Sequence, residues 1–120
     1  MAFAAHLLLL ALAASGDLPD DGIDYGAFED VSCREHAPRV KYPGKLRRAG
    51  LGGIVIYRVS VDAGNNYLGA VVHQSSGHPE LDAAGMKVLP TWCFKAGREG
   101  GVRVAGDVLV PIRFTPRQSR

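Results

Sequence analysis

The stretch Ile54–Asp62 constrains the fold most, because its side chains alternate between two faces of an extended backbone. One face is entirely apolar and consists of Val55, Tyr57, Val59 and Val61. Such a period of two predicts a strand with one buried face. Residues 63–66 (Ala-Gly-Asn-Asn) have turn chemistry, and Tyr67–Ser75 predicts a returning strand. The two strands are therefore expected to form a hairpin.

Two short helices are predicted on either side of this hairpin. The first covers Pro43–Ala49, with Leu46 and Ala49 pointing to one side. The second begins at Pro79 and ends at Pro90. Its core-facing positions recur at helical spacing and are Leu81, Ala84, Gly85, Val88 and Leu89.

A third strand is predicted over Val102–Phe114, where apolar and polar residues alternate again. The expected fold class is α+β: a three-stranded antiparallel sheet in the order 2-1-3 with both helices on one face. Pro111 favours an edge position for the third strand, because a proline cannot donate a hydrogen bond inside a ladder. The odd-numbered residues from Arg103 to Arg113 would then direct their backbone groups outward.

The N-terminus indicates export. Residues 2–14 are apolar apart from His6, and we expect a signal peptide over residues 1–15 and a periplasmic location. A membrane anchor, which would leave the protein tethered to the inner membrane, is the alternative. As a helix, however, these residues would rise only about 20 Å, against a hydrocarbon core of about 30 Å. Residues 16–32 are acidic, lack periodicity and are predicted to form a flexible lead.

Two features of the remaining sequence leave alternatives open. Cys33 and Cys93 are expected to form a disulfide in an oxidising compartment, or else to be two independent buried thiols. Residues 34–48 carry six cationic side chains and a single Glu35. They form either a solvated face, neutralised by the acidic lead, or a docking surface for an acidic partner.

The sequence gives little support for catalysis or for a cofactor. His73, His78 and Asp82 could meet at a strand–helix junction, but no fourth metal ligand is obvious. Gly97, Gly100 and Gly101 do not form a phosphate loop, because a strand follows them where a helix is required. A net charge of +2 is too small to argue for nucleic acid. We therefore expect no enzyme activity, no cofactor, no metal, no nucleic-acid partner and no small-molecule substrate.

Six short motifs follow one another along the chain: Tyr42-Pro43, Gly52-Gly53, Ser75-Ser76-Gly77, Leu81-Asp82, Trp92-x-Phe94 and Val110-Pro111-Ile112-x-Phe114. Their order and spacing resemble the C-terminal domain of the TonB family of energy transducers. The domain would occupy residues 33–116, followed by a tail over residues 117–120. The resemblance applies to a module that lacks the long membrane-spanning helix and the Pro-rich spacer of that family.

The resemblance implies partner recognition. Domains of this family bind a short segment of outer-membrane TonB-dependent receptors by strand addition at the third strand. The expected edge residues are Arg103, Ala105, Asp107, Leu109 and Arg113. The stretch before the Tyr-Pro pair also contacts the receptor in this family, and the matching positions are Arg39, Val40, Lys41 and Tyr42. The alternative is a structural scaffold domain of the envelope without receptor binding, which could form an edge-to-edge homodimer.

Overall fold

The structure is a computed structural model that describes residues 22–116. The predicted signal peptide, residues 16–21 of the predicted lead and the tail over 117–120 lie outside these residues. The strands are β1 (Phe28–Asp30), β2 (Gly53–Val61), β3 (Tyr67–Gln74), β4 (Cys93–Lys95), β5 (Gly97–Glu99), β6 (Val102–Val104) and β7 (Gly106–Phe114). The α-helices are α1 (Gly44–Arg48) and α2 (Pro79–Val88), and two 3-10 helices cover Val31–His36 and Leu89–Thr91.

The main sheet is antiparallel and has the strand order β3-β2-β7, which confirms the predicted α+β class and the order 2-1-3. The apolar face of β2 is almost completely inaccessible to solvent and forms the centre of the core. Asp62 closes the β2–β3 turn, where its carboxylate accepts hydrogen bonds from the backbone N–H groups of Gly64 and Asn66. Asn65 adopts a positive φ of 68° in this turn, a conformation that asparagine tolerates better than most residues.

Both helices place apolar side chains in the same core. Leu46 of α1 and Leu81 and Val88 of α2 pack in one cluster with the inner face of β2. Ala49 was expected to accompany Leu46, but it is exposed at the C-terminal end of α1. α2 ends at Val88, two residues before Pro90, where the sequence predicted its end. A 3-10 turn over Leu89–Thr91 follows and contains Pro90. A proline at the second position of a short turn does not interrupt it, since no internal hydrogen bond needs its nitrogen.

The prediction of one continuous strand over Val102–Phe114 is wrong. Val102–Val104 pairs with β5 in a separate hairpin, and only Gly106–Phe114 joins the main sheet. The physical reason is the Gly100-Gly101 turn, in which both residues have positive φ (60° and 80°). Two such residues form the tight turn that returns a chain into a hairpin. The strand in the main sheet therefore has nine residues.

Part of the predicted flexible lead has regular structure. β1 pairs with β4 in an antiparallel ladder. Tyr25 forms a further bridge to Arg98, with backbone hydrogen bonds of 3.0 and 2.8 Å. We call residues 25–36 the N-terminal strap. The expectation of a lead without strands is therefore wrong for Phe28–Asp30. The sequence did not reveal this strand, because three residues are too few to show an alternating pattern.

Two further contacts hold the strap against the domain. A disulfide joins Cys33 to Cys93, so the thiols are paired in this structure. Arg34 forms a bidentate salt bridge with Glu29, with both N–O distances 2.7 Å, and its guanidinium lies 3.8 Å from the ring centroid of Trp92. This stacking places a cation over the face of an indole, a favourable arrangement. Within residues 22–116, no helix has both the length and the apolar character needed to span a membrane.

Candidate partner-binding site

The strand β7 lies at one margin of the main sheet. Among the described strands it pairs in the sheet only with β2, and Pro111 stands opposite Ile56 in that ladder. Proline has no N–H, so Pro111 and Ile56 form a non-hydrogen-bonded pair of the antiparallel ladder. Backbone groups alternate direction along a strand. The N–H groups of Asp107, Leu109 and Arg113 therefore point away from β2, towards the open side.

The side chains of β7 alternate as predicted. Val110, Ile112 and Phe114 are buried in the core, whereas the odd-numbered positions from Asp107 to Arg113 are exposed. Asp107 is held on the outer face of the sheet by the Ser60 hydroxyl at 3.2 Å and the Arg58 guanidinium at 3.5 Å. Leu109 is 53% exposed, which leaves a large apolar side chain in solvent beside outward-facing backbone groups.

Two of the predicted edge residues do not lie on this strand. Arg103 belongs to β6, where it stands opposite Arg98 of β5. Ala105 lies between β6 and β7 and belongs to neither. The structure places Asp107, Leu109 and Arg113 on β7, but the beginning of this strand lies against the N-terminal strap, where a β-carbon at Gly106 would lie 3.5 Å from Cβ of Ala27. The open margin of the main sheet is therefore shorter than the sequence predicted.

The stretch before Pro43 divides into two sets of side chains. Val40 and Tyr42 are half-buried and pack against the core. The Tyr42 hydroxyl donates a 2.6 Å hydrogen bond to the carbonyl of Leu51, and its ring meets the ring of Phe114 edge-on at 5.3 Å. Tyr42 thus places this stretch beside the last residue of β7. Arg39 and Lys41 are exposed and available to a partner.

Gly52 lies at the same end of β7. A β-carbon at this position would overlap with the carbonyl oxygen of Phe114 and lie 3.1 Å from the hydroxyl oxygen of Tyr42. Only glycine at position 52 therefore allows this segment to approach the end of β7 so closely. This explains the glycine at position 52, directly before the first residue of β2.

The side chain of Asp82 in α2 is hydrogen-bonded to the residues that follow β3. Its carboxylate accepts hydrogen bonds from the Ser75 hydroxyl, the Ser76 hydroxyl at 2.8 Å and the Ser76 N–H at 2.9 Å. Partial burial by itself would raise the pKa of Asp82, but the hydrogen bonds from Ser75 and Ser76 together lower it below its usual value.

The side chain of His73, which the sequence placed near Asp82, is directed elsewhere, with Nδ1 3.2 Å from the Arg58 guanidinium. The described residues include no cluster of three or more His, Cys, Asp or Glu side chains able to hold a metal ion.

Sequence reasoning missed an apolar groove beside the Tyr42 stretch. It lies between the extended residues 38–43 and one side of α2, and includes Pro38, Pro43, Ala83 and Ala84. The two walls are distant in sequence, so no local pattern reveals the groove. The available signal was the adjacent pair Ala83 and Ala84, two small side chains on α2 that are not among its fully buried residues.

Comparison with known proteins places these features in a family. The family described as "Gram-negative bacterial TonB protein C-terminal" matches residues 38–116. Protein TonB of Xanthomonas campestris pv. campestris (strain B100) is 41% identical over 91 residues, which cover 76% of this chain and 40% of that protein. Protein TonB of Vibrio cholerae serotype O1 is 34% identical over 74 residues, which cover 62% of this chain and 30% of that protein.

The aligned part thus spans well under half the length of these curated relatives. No solved structure matches the chain significantly. The family match covers most of the described residues, and it contains the main sheet, both α-helices and the Tyr42 stretch. This chain belongs to the family of TonB C-terminal domains.

Proposed function

We propose that this chain is a periplasmic protein-binding module of TonB-dependent transport. It recognises an extended segment of an outer-membrane TonB-dependent receptor, which adds to the main sheet as a fourth strand beside β7. The observation that carries this proposal is the open margin of β7, with its backbone donors at Asp107, Leu109 and Arg113 directed away from β2.

The margin has the chemistry that strand addition requires. Each outward-facing residue except Pro111 offers one N–H, and all four odd-numbered residues offer a carbonyl group. An incoming strand would lose one hydrogen bond at Pro111, which fixes the register of pairing. Leu109 offers an exposed apolar side chain in addition to its own outward-facing backbone groups, so that side chains of the ligand can contribute to specificity.

The position of Tyr42 supports a binding surface longer than β7 alone. Its ring contacts Phe114 at the end of the strand, and Arg39 and Lys41 are exposed on the same stretch. A receptor segment that extends past the end of β7 would therefore approach two cationic side chains. The Cys33–Cys93 disulfide supports an oxidising compartment such as the periplasm.

The proposal is tested by nuclear magnetic resonance with a synthetic peptide from the N-terminal segment of a TonB-dependent receptor. Titration should shift the amide resonances of residues 107–113 and slow exchange of the outward-facing amides of Asp107, Leu109 and Arg113. The matched control is the same peptide with every second backbone nitrogen methylated, which keeps all side chains but prevents strand pairing. Equal binding of both peptides, or shifts confined to other residues, would refute strand addition.

A further inference from the structure

A second surface, which contains no residue of β7 but shares Arg39 and Lys41 with the proposed receptor-binding surface, has the form of a docking site. It is the groove between residues 38–43 and α2, which we call the α2 groove and which encloses about 570 Å³. Its apolar lining comes from Pro38 and Pro43 on one side and from Ala83, Ala84 and Val88 on the other. Val88 is buried, whereas Ala83 is exposed, so the lining extends from the core to the surface.

The wall formed by residues 38–43 is held in place because its side chains point alternately to the groove and to the core. Arg39, Lys41 and Pro43 line the groove. Val40 and Tyr42, which point the opposite way, pack against the core. The hydrogen bond from Tyr42 to Leu51 adds a polar anchor. The groove is therefore formed before any ligand arrives, which lowers the entropic cost of binding.

The rim of the groove is predominantly cationic. Arg39, Lys41 and Lys87 line it, and Glu80 is the one acidic residue among the lining side chains. The two ion pairs that the structure shows within residues 22–116 are Arg34–Glu29 and Arg58–Asp107, and neither includes a rim cation. The rim charges are exposed, and an anionic ligand would be attracted to them.

An apolar lining below a cationic rim selects for a particular ligand chemistry. A free phosphate or nucleotide would satisfy the cations but leave the apolar walls exposed to water. A purely apolar ligand would leave the charges unused. We propose that the α2 groove binds an acidic peptide segment of a partner protein, with one bulky apolar side chain inserted between Pro38 and Ala83. This inference does not depend on strand addition at β7.

The probe for this site is the synthetic peptide acetyl-Asp-Glu-Phe-Asp-Glu-amide, added to the full chain at low ionic strength. We expect amide shifts at Ala83, Ala84, Lys87 and residues 39–41, with residues 107–113 unchanged. Replacing Phe by Ser in the peptide, or all acidic residues by Lys, should weaken binding at least tenfold. Raising the salt concentration should also weaken it, because the rim charges are exposed to solvent.

Variants of the protein separate the groove from general attraction to a basic surface. Lys87→Glu should weaken peptide binding about tenfold, and Ala83→Trp, which fills the groove from an exposed helix position, should abolish it. The matched control is Arg48→Glu, an exposed cation of α1 outside the groove. An equal loss in Arg48→Glu would overturn the proposal, since it would show that charge alone attracts the peptide.

Other occupants of the groove give different results. The triple variant Asp17→Asn, Asp20→Asn, Asp21→Asn removes the acidic charges that precede the described residues. Binding of the peptide only to this variant would assign the groove to the protein's own lead and overturn the proposal. Shifts at the groove that appear with protein concentration alone would assign it to a second copy, with the same consequence. Loss of either site in these experiments leaves the test of the other intact.

Discussion

The hydroxyl group of Tyr57 occupies the space that a side chain on Gly85 would need. A β-carbon at Gly85 would overlap with the hydroxyl oxygen and lie 2.6 Å from Cζ of the ring. The hydroxyl itself donates a 2.7 Å hydrogen bond to the carbonyl of Asp82. Burial, and secondly the negative charge of Asp82, raise the pKa of Tyr57 to about 12, so it remains a neutral donor at physiological pH. The absence of a side chain at Gly85 lets α2 lie directly on β2.

Substitution of Gly85 by alanine should destabilise the fold. Alanine favours a helix by up to about 1 kcal/mol over glycine. The overlap with the rigid Tyr57 ring is expected to cost about 1–3 kcal/mol and to outweigh that gain. Urea unfolding measures the difference. Gly26→Ala is the control, because a β-carbon there meets no atom within 4 Å. A Gly85→Ala variant as stable as the parent would contradict the packing described here.

Asn65 has two separable roles in the β2–β3 turn. Its φ of 68° favours a residue that tolerates this conformation, and its side-chain oxygen accepts a 2.7 Å hydrogen bond from the N–H of Ala96. Asn65→Gly keeps the backbone freedom but loses the hydrogen bond, which should cost about 1–3 kcal/mol. Asn65→Ala should cost about 1 kcal/mol more, because alanine disfavours positive φ. Equal unfolding free energies for the two variants would show that the backbone conformation carries no cost.

The Cys33–Cys93 disulfide should raise stability. It closes a loop of 60 residues in sequence, and removal of such a cross-link is expected to lower the free energy of unfolding by about 2–4 kcal/mol. The double variant Cys33→Ser, Cys93→Ser should therefore melt earlier than the oxidised protein. Mass spectrometry supplies the control, since reduction adds two hydrogen atoms. Addition of a reductant should not shift the melting point of the double variant.

Asp82→Asn should destabilise the protein in a pH-dependent manner. The folded-state pKa of Asp82 is lowered relative to the unfolded chain, whose value is 3.8. The ionised carboxylate therefore contributes stability above pH 3.8, and this contribution is lost as the pH falls through the lower folded pKa. At pH 7 the variant should lose about 1 kcal/mol, because a neutral amide accepts the serine hydrogen bonds less strongly. Once the pH falls below the folded-state pKa of Asp82, the two proteins should converge in stability. Glu80→Gln, on the exposed side of the same helix, is the control.

Leu109→Pro tests the margin of β7 without changing the ladder to β2. In the parent protein, the backbone N–H of Leu109 points away from β2, because Leu109 lies two residues from Pro111 in the same ladder. The substitution should leave the sheet folded and reduce affinity for a receptor peptide about tenfold, since one hydrogen-bond donor is lost and the incoming strand meets a ring. Leu109→Thr, which keeps the N–H and removes the apolar side chain, is the comparison. Equal affinities for the two variants in calorimetric titrations would assign Leu109 a side-chain role only.

The parts of the fold with a clear period were predictable from sequence. Val55 to Val61 gave the buried face of β2, and Leu81 to Val88 gave the buried side of α2, because both patterns repeat over at least two periods. Pro111 placed the third strand at the margin through a single missing donor. These elements form the main sheet and its covering helix, so the α+β class and the strand order followed.

The elements that escaped prediction are short or depend on distant partners. β1, β5 and β6 have three residues each, and no period can be recognised in three residues. The Gly100-Gly101 turn was a usable hairpin signal, but the alternation of Val102 and Val104 favoured continuation into the last strand. The α2 groove joins residues 38–43 to α2, and only tertiary packing brings them together.

The disulfide also determines how tension would be transmitted through the domain. A force applied upstream of Cys33 passes through the covalent bond to Cys93 and continues towards β7. The sixty-residue loop between the cysteines, with the β2–β3 hairpin and both α-helices, is bypassed along the chain. Mechanical extension from the N-terminus can therefore peel away the strap up to Cys33 and must then act on the short connection between Cys93 and β7.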